Sequence, residues 1–158
     1  MKKLSVDNIR NIIFGIEDSL VSTSGFLFGL ATTSYETHQI FTSGIIIISV
    51  EAVSMGAGAF LTEEETLEME SKSSERKKAN PLFDGILMFL SYFGAGFIPL
   101  LPYILLEREL AKPVSMVLSF SALFLLGYLP TKKLKSAFRM LVVAGAAASV
   151  GYLVGSVF

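Results

Sequence analysis

The sequence predicts an all-α polytopic membrane protein with five transmembrane helices, and three observations predict it. Hydrophobic residues make up 52% of the 158 and charged residues only 17%, whereas a soluble domain of this size carries about 25% charge. The mean hydropathy is +0.61. Five segments are long and apolar enough to cross a hydrocarbon layer about 30 Å thick, which takes roughly 20 residues of helix. The basic residues cluster in alternate connections between those segments, the pattern that orients membrane proteins. A formal charge of −1 offers nothing to a nucleic acid, and the absence of cysteine removes disulfides, thiol chemistry and cysteine-based zinc sites. The whole chain, 1–158, reads as a single transmembrane domain.

The elements follow in order. The start, MKKLSVDNIRN, has lysines but no uninterrupted apolar run with a cleavage site behind it, so a removable signal is not expected. Span one covers about 10–34 and span two about 39–61. Beyond span two, TEEETLEMESKSSERKKAN (62–80) carries acids first and bases last, complementing a helix dipole. Span two is therefore expected to extend into the cytoplasm as one long helix ending at Asn80-Pro81. Span three covers about 82–106, with Pro81 at its start and Pro99 and Pro102 inside, which predicts a kink or a broken last turn. Span four, about 113–130, opens on Pro113, and span five covers about 137–158. Eleven basic residues fall on one side and two, Arg108 and Lys112, on the other. The N-terminus is accordingly expected in the cytoplasm and the C-terminus outside or in a lumen. The host membrane would be the plasma membrane of a prokaryote, or otherwise a vacuolar or other endomembrane.

Span one poses the functional question, because Glu17 and Asp18 sit near its middle. The ten Leu, Ile, Val and Phe residues of 12–30 favour insertion by roughly −0.3 to −0.6 kcal/mol each. Two ionised acids oppose it by about +2.5 to +3.5 kcal/mol each. The two sums nearly cancel, so this helix needs partners, water or protonation and cannot simply face lipid. Gly15, Asp18, Ser22, Gly25 and Gly29 form one small, polar stripe at helical spacing. Glu17 is rotated about 100° from Asp18. Span two carries a similar stripe, Glu51, Ser54, Met55, Gly58 and Thr62, and span three a weaker one, Asp84, Met88, Ser91 and Ala95, with Asp84 expected at the interface.

Asp18, Glu51, Met55, Glu17 and Ser22 are the candidate metal and proton translocation residues. Carboxylate oxygens suit Mn(II) and Fe(II), and a thioether adds preference for the softer ion. Membrane-embedded carboxylates can also exchange protons for cations. Glu64, Glu65, Glu68, Met69 and Glu75, past the cytoplasmic end of span two, are candidates for attracting cations to a mouth. Plainer readings stand beside these: helix packing through Gly25/Gly29 and Gly151/Gly155, methionines as core filler, and a glutamate run that is only a solvated face. No phosphate-binding loop and no nucleophile–histidine pairing suggests an enzyme.

FGIEDSLVSTSGFLFGL in span one, EAVSMGAGAFLT in span two and GAGFIPLLPYIL in span three resemble the vacuolar iron transporter family. The resemblance implies a five-span homodimer exporting Fe(II) or Mn(II) from the cytoplasm in exchange for protons, the metal being substrate rather than cofactor. It implies that Asp18 is the acid of the family's first-span motif, with Glu51 and Met55 around its Ser-Met motif. It further implies a path at the dimer interface, where two Asp18 stripes face each other. Ser19 stands where the family has glycine, and Gly58-Ala59-Phe60 where it commonly has Gly-Glu-Tyr. The chain resembles a short form, without the large cytoplasmic metal-binding domain of plant-type members. A non-transporting assembly or regulatory protein, or a passive divalent-cation channel, are the alternative readings.

Overall fold

In a computed structural model that describes residues 5–70 and 80–157, every regular element is an α-helix. Five are long and apolar enough to cross a membrane: α1 (Val6–Leu30), α2 (Thr37–Glu70), α3 (Pro81–Leu100), α5 (Arg108–Tyr128) and α6 (Leu134–Gly155). A single turn, α4 (Pro102–Leu105), links α3 to α5. The expected five-span, all-α class is what the chain adopts. Glu75 and the basic residues Lys72, Arg76, Lys77 and Lys78 lie outside the described residues, as do Lys2 and Lys3.

The ends of the helices follow local chemistry that hydropathy alone does not report. Span one begins at Val6 rather than about residue 10, because Ser5 and Asn8 form a capping box. Ser5 Oγ accepts from the Asn8 N–H at 3.0 Å, and Asn8 Oδ1 accepts from the Ser5 N–H at 2.8 Å. It stops at Leu30 rather than about 34. There the hydroxyls of Thr32 and Thr33 donate to the carbonyls of Gly29 (2.6 Å) and Leu30 (2.7 Å). The Arg108 guanidinium then closes the end, donating to the carbonyls of Ala31 (3.1 Å), Tyr35 (3.0 Å) and Thr33. These bonds satisfy carbonyls that a helix terminus would otherwise leave bare.

Span two is one continuous helix of 34 residues, about 51 Å long at 1.5 Å per residue. That exceeds the hydrocarbon thickness by some 20 Å, so the helix overshoots the membrane as expected, at least to Glu70. Asn80 caps α3 through its side-chain oxygen (3.3 Å from the Phe83 nitrogen), and Pro81 occupies the first turn. The predicted break falls at Leu101: Pro102 brings no N–H, and α3 gives way to α4. The carbonyl of Pro99, just before the break, accepts the Ser115 hydroxyl at 2.6 Å. Span four corrects the expectation that Pro113 opens it. The extended backbone of Glu107 (φ −65°, ψ 152°) starts α5 at Arg108, and Pro113 sits within the helix, where it deprives Glu109 of its intrahelical donor.

α1 is the central helix, packed chiefly against α3 and α6. It runs parallel to α3, meeting it at Asp84, Met88 and Tyr92 in turn. Asp84, in the first turn of α3, is buried against α1, where its Oδ1 accepts from the side-chain amides of Asn8 (2.7 Å) and Asn11 (3.0 Å). α2 packs antiparallel on α3, with Gly56 against Gly85 and Ile48 against Gly96. The single stripe read on span one therefore divides. Gly15 and Ser22 face α3, whereas Gly25 and Gly29 lie on α6.

The Gly-x-x-x-Gly pairs meet each other. A Cβ on Gly29 would stand 2.8 Å from the Gly151 carbonyl oxygen, and one on Gly151 would collide with the Gly25 carbonyl. Close backbone approach of this kind replaces the hydrophobic drive that lipid does not supply. Gly151→Val is expected to destabilise the folded protein by about 1–3 kcal/mol through overpacking. Gly145→Val, where nothing lies within 4 Å, is expected to leave the thermal midpoint in detergent unchanged.

Candidate functional site

Asp18 lies at the midpoint of α1, twelve residues from Val6 and twelve from Leu30, hence about 18 Å of helix from either end. It is half-buried and within electrostatic reach of Glu51, which α2 brings alongside. A carboxylate this far from aqueous solvent needs hydrogen-bond donors from the protein. Glu51 finds them on two other helices. The Ser22 hydroxyl, on α1, donates to Glu51 Oε2 at 3.0 Å. The Tyr92 phenol, on α3, donates to the same oxygen. Ser22 Oγ and Tyr92 Oη are themselves 2.6 Å apart. Three helices thus converge on one carboxylate oxygen.

Tyr92 is held rigidly for this role. It has no exposed surface, and its own carbonyl accepts the Ser19 hydroxyl at 2.7 Å. Ser19 occupies the position where the family resemblance has glycine, and its added hydroxyl is absorbed by this bond. Tyr92 is absent from the sequence-based candidates. The α3 stripe passes through both Ser91 and Tyr92, since steps of three and four from Met88 are equally helical, and the smaller polar residue stands in the predicted set. In the structure Ser91 donates to the Leu87 carbonyl of its own helix at 2.5 Å and takes no part in the cluster. The spacing from Asp84 through Met88 to Tyr92, steps of four, is the signal that marks it.

Of the sequence-predicted residues, Asp18, Ser22 and Glu51 are gathered into one region, and Met55 stands one turn along α2 from Glu51, half-buried. Met88 is core: it is 4% exposed, and its sulfur and carbonyl pack beneath Gly15. Glu17 is half-buried but has no bond into the Ser22–Glu51–Tyr92 cluster. Glu64, Glu65, Glu68 and Met69 are exposed along the last turns of α2, and Glu75 lies outside the described residues. Among the described residues no three His, Asp or Glu side chains are drawn together as a metal cage. The candidate site of one chain therefore consists of two carboxylates, a thioether one turn away and two hydroxyls. Hard oxygen donors of this kind interact with divalent cations and with protons.

Vacuolar iron transporter homolog 2 of Arabidopsis thaliana is 25% identical over 130 residues, covering 77% of this chain and 66% of that protein. The chain thus spans just under two thirds of that relative's length. The VIT family matches residues 9–80 and 63–156. Those two stretches take in nearly all of the five apolar helices together with the Asp18, Glu51 and Tyr92 positions, and the chain belongs to the VIT family.

Proposed function

We propose that this protein carries Fe(II) or Mn(II) out of the cytoplasm in exchange for protons, serving metal homeostasis or detoxification. The observation that carries this reading is the pair of half-buried carboxylates on two apolar helices, Asp18 and Glu51, the latter bonded to Ser22 one turn along from Asp18. An acid at this depth is costly to insert and is retained where an ion must be met. Membership of the VIT family and the name of the Arabidopsis relative support iron as a cargo. Asp18 binds the cation, Glu51 and Met55 complete its coordination, and Ser22 orients Glu51. Glu17 is a secondary contact. Met55 sulfur biases the site toward the softer of the two ions, Fe(II).

The active unit in this proposal is a homodimer. One chain supplies too few acids to enclose an ion, and a second copy placing its Asp18 opposite doubles the oxygen set. The excess of basic residues on one side supports a cytoplasmic location for the N-terminus and the overshooting end of α2. Exposed Glu64 and Glu65, with Glu68, Met69 and Glu75, raise the local cation concentration there.

Two measurements test the proposal. Proteoliposomes with an imposed pH gradient are expected to take up Mn(II) and Fe(II), and Asp18→Asn to abolish uptake; transport unchanged in that variant rules out the assignment. Uptake that runs without any proton movement would identify a passive channel instead, and absence of both binding and uptake a non-transporting protein. For the cytoplasmic acids, Glu64→Gln combined with Glu65→Gln is expected to raise the apparent KM for Mn(II) by about two- to threefold at low ionic strength. The difference should vanish in high salt, where surface fields are screened.

A further inference from the structure

We propose that the polar pocket at the end of the bundle remote from the overshoot of α2 binds one phospholipid headgroup carrying both a phosphate and a primary ammonium, the phosphoethanolamine type. The inference is independent of the transport reading above.

The pocket lies where three helix ends meet, the C-terminal ends of α1 and α6 and the start of α5. It measures about 410 Å³, and Thr32, Arg108, Glu109, Lys112, Tyr152 and Ser156 line it. Arg108 and Lys112 are four residues apart on α5, so they stand on one side of that helix. Their duties differ. Arg108 is spent on the end of α1, donating to the carbonyls of Ala31 (3.1 Å) and Tyr35 (3.0 Å). Lys112 is half-buried, with its Nζ 4.8 Å from the centre of the Phe28 ring. The ring holds the ammonium in place without cancelling its charge. Glu109 stands three residues before Lys112, a spacing at which the two could pair. Among the described residues, however, neither of them forms an ion pair. The pocket therefore keeps one uncommitted charge of each sign. A phosphate alone would meet Lys112 but also the Glu109 carboxylate, and an amine alone would meet Glu109 but also Lys112. An occupant bearing both signs satisfies both side chains.

The hydroxyls narrow the choice of ammonium. Thr32 Oγ1 and Ser156 Oγ each donate to a carbonyl three residues earlier, those of Gly29 (2.6 Å) and Leu153 (2.8 Å). Their lone pairs remain free to accept, and a carboxylate only accepts. Glu109, Thr32 and Ser156 thus offer acceptors, which suit the three hydrogens of a primary ammonium; a quaternary ammonium has none to give. The phosphate falls to Lys112, in the field of Arg108. Lipid is the source because apolar surface begins beside the pocket. Leu110, Leu153 and Val157 are exposed there, and Tyr152 is 49% exposed, an aromatic of the kind that sits at headgroup depth. Acyl chains can lie along those side chains while the headgroup fills the pocket.

Native mass spectrometry of the detergent-purified full chain tests this, with ethanolamine, choline and glycerol phospholipids of identical acyl chains added in turn. The ethanolamine lipid is expected to be retained about fivefold more than either of the others, the scale of one partly exposed ion pair. Glu109→Gln, at an exposed position, is expected to bring the ethanolamine lipid down to the level of the choline lipid. Lys112→Ala is expected to weaken all three. Lys135→Ala, an exposed base at the opposite end of α6, is expected to change none of them. O-phosphoethanolamine, which has the headgroup without tails, is expected to leave the thermal midpoint unchanged. A rise with that solute, removed by Glu109→Gln, would assign the pocket to a soluble ligand and overturn the lipid source. Equal retention of the three lipids by wild type, strongest retention of the glycerol lipid, or an ethanolamine preference that survives both Glu109→Gln and Lys112→Ala overturns the inference.

Discussion

Between apolar helices in a bilayer no water is available to complete a hydrogen bond, and the arrangement of this chain follows from that constraint. Polar groups at depth have to find their partners on the protein, and among the buried side chains of the described residues Thr23 Oγ1 is the atom left without one. Glu51 reaches two hydroxyls on two neighbouring helices. Asp84 collects two asparagine amides from α1, and the carbonyl of Pro99, next to the helix break, takes a serine hydroxyl from α5. These bonds cross between helices rather than along them. They lock α1 to α3 and α3 to α5, where the hydrophobic effect, absent between greasy surfaces in lipid, contributes little.

Along α1 two kinds of contact are separated by height. The stretch from Asn8 to Ser22 carries the asparagines, Ser19 and Ser22, and binds α3 by hydrogen bonds. The half toward its C-terminus carries Gly25 and Gly29 and binds α6 through bare backbone. Asp18 falls within the polar stretch, one turn before Ser22, and stays half-buried, the degree of enclosure that the proposed ion-exchanging role requires.

Much of this was legible in the residues because hydrocarbon imposes coarse rules. Five apolar runs, the overshoot of α2 and the break at Pro102 follow from length, charge and the missing proline N–H. The costly acids Asp18 and Glu51 stood out for the same reason. The boundaries of α1 and α5 did not, since a capping box at Ser5, threonine hydroxyls and the long reach of Arg108 decide them. Tyr92 was hidden because a 3.6-residue period cannot choose between adjacent positions 91 and 92. Which glycine pair faces which helix was likewise out of reach: spacing reports a smooth surface, and the partner emerges only when α6 folds back onto α1.

The strap that Arg108 throws over the carbonyls of residues 31, 33 and 35 has a consequence for the charge at that end of α1. A helix C-terminus ordinarily carries about half an electron's worth of negative charge, and left bare it would detain a passing cation at the far surface. Here a resident guanidinium already occupies it, so that end of α1 offers no resting place. In the proposed transport, an ion leaving the Asp18 region meets a neutralised threshold at that end of α1.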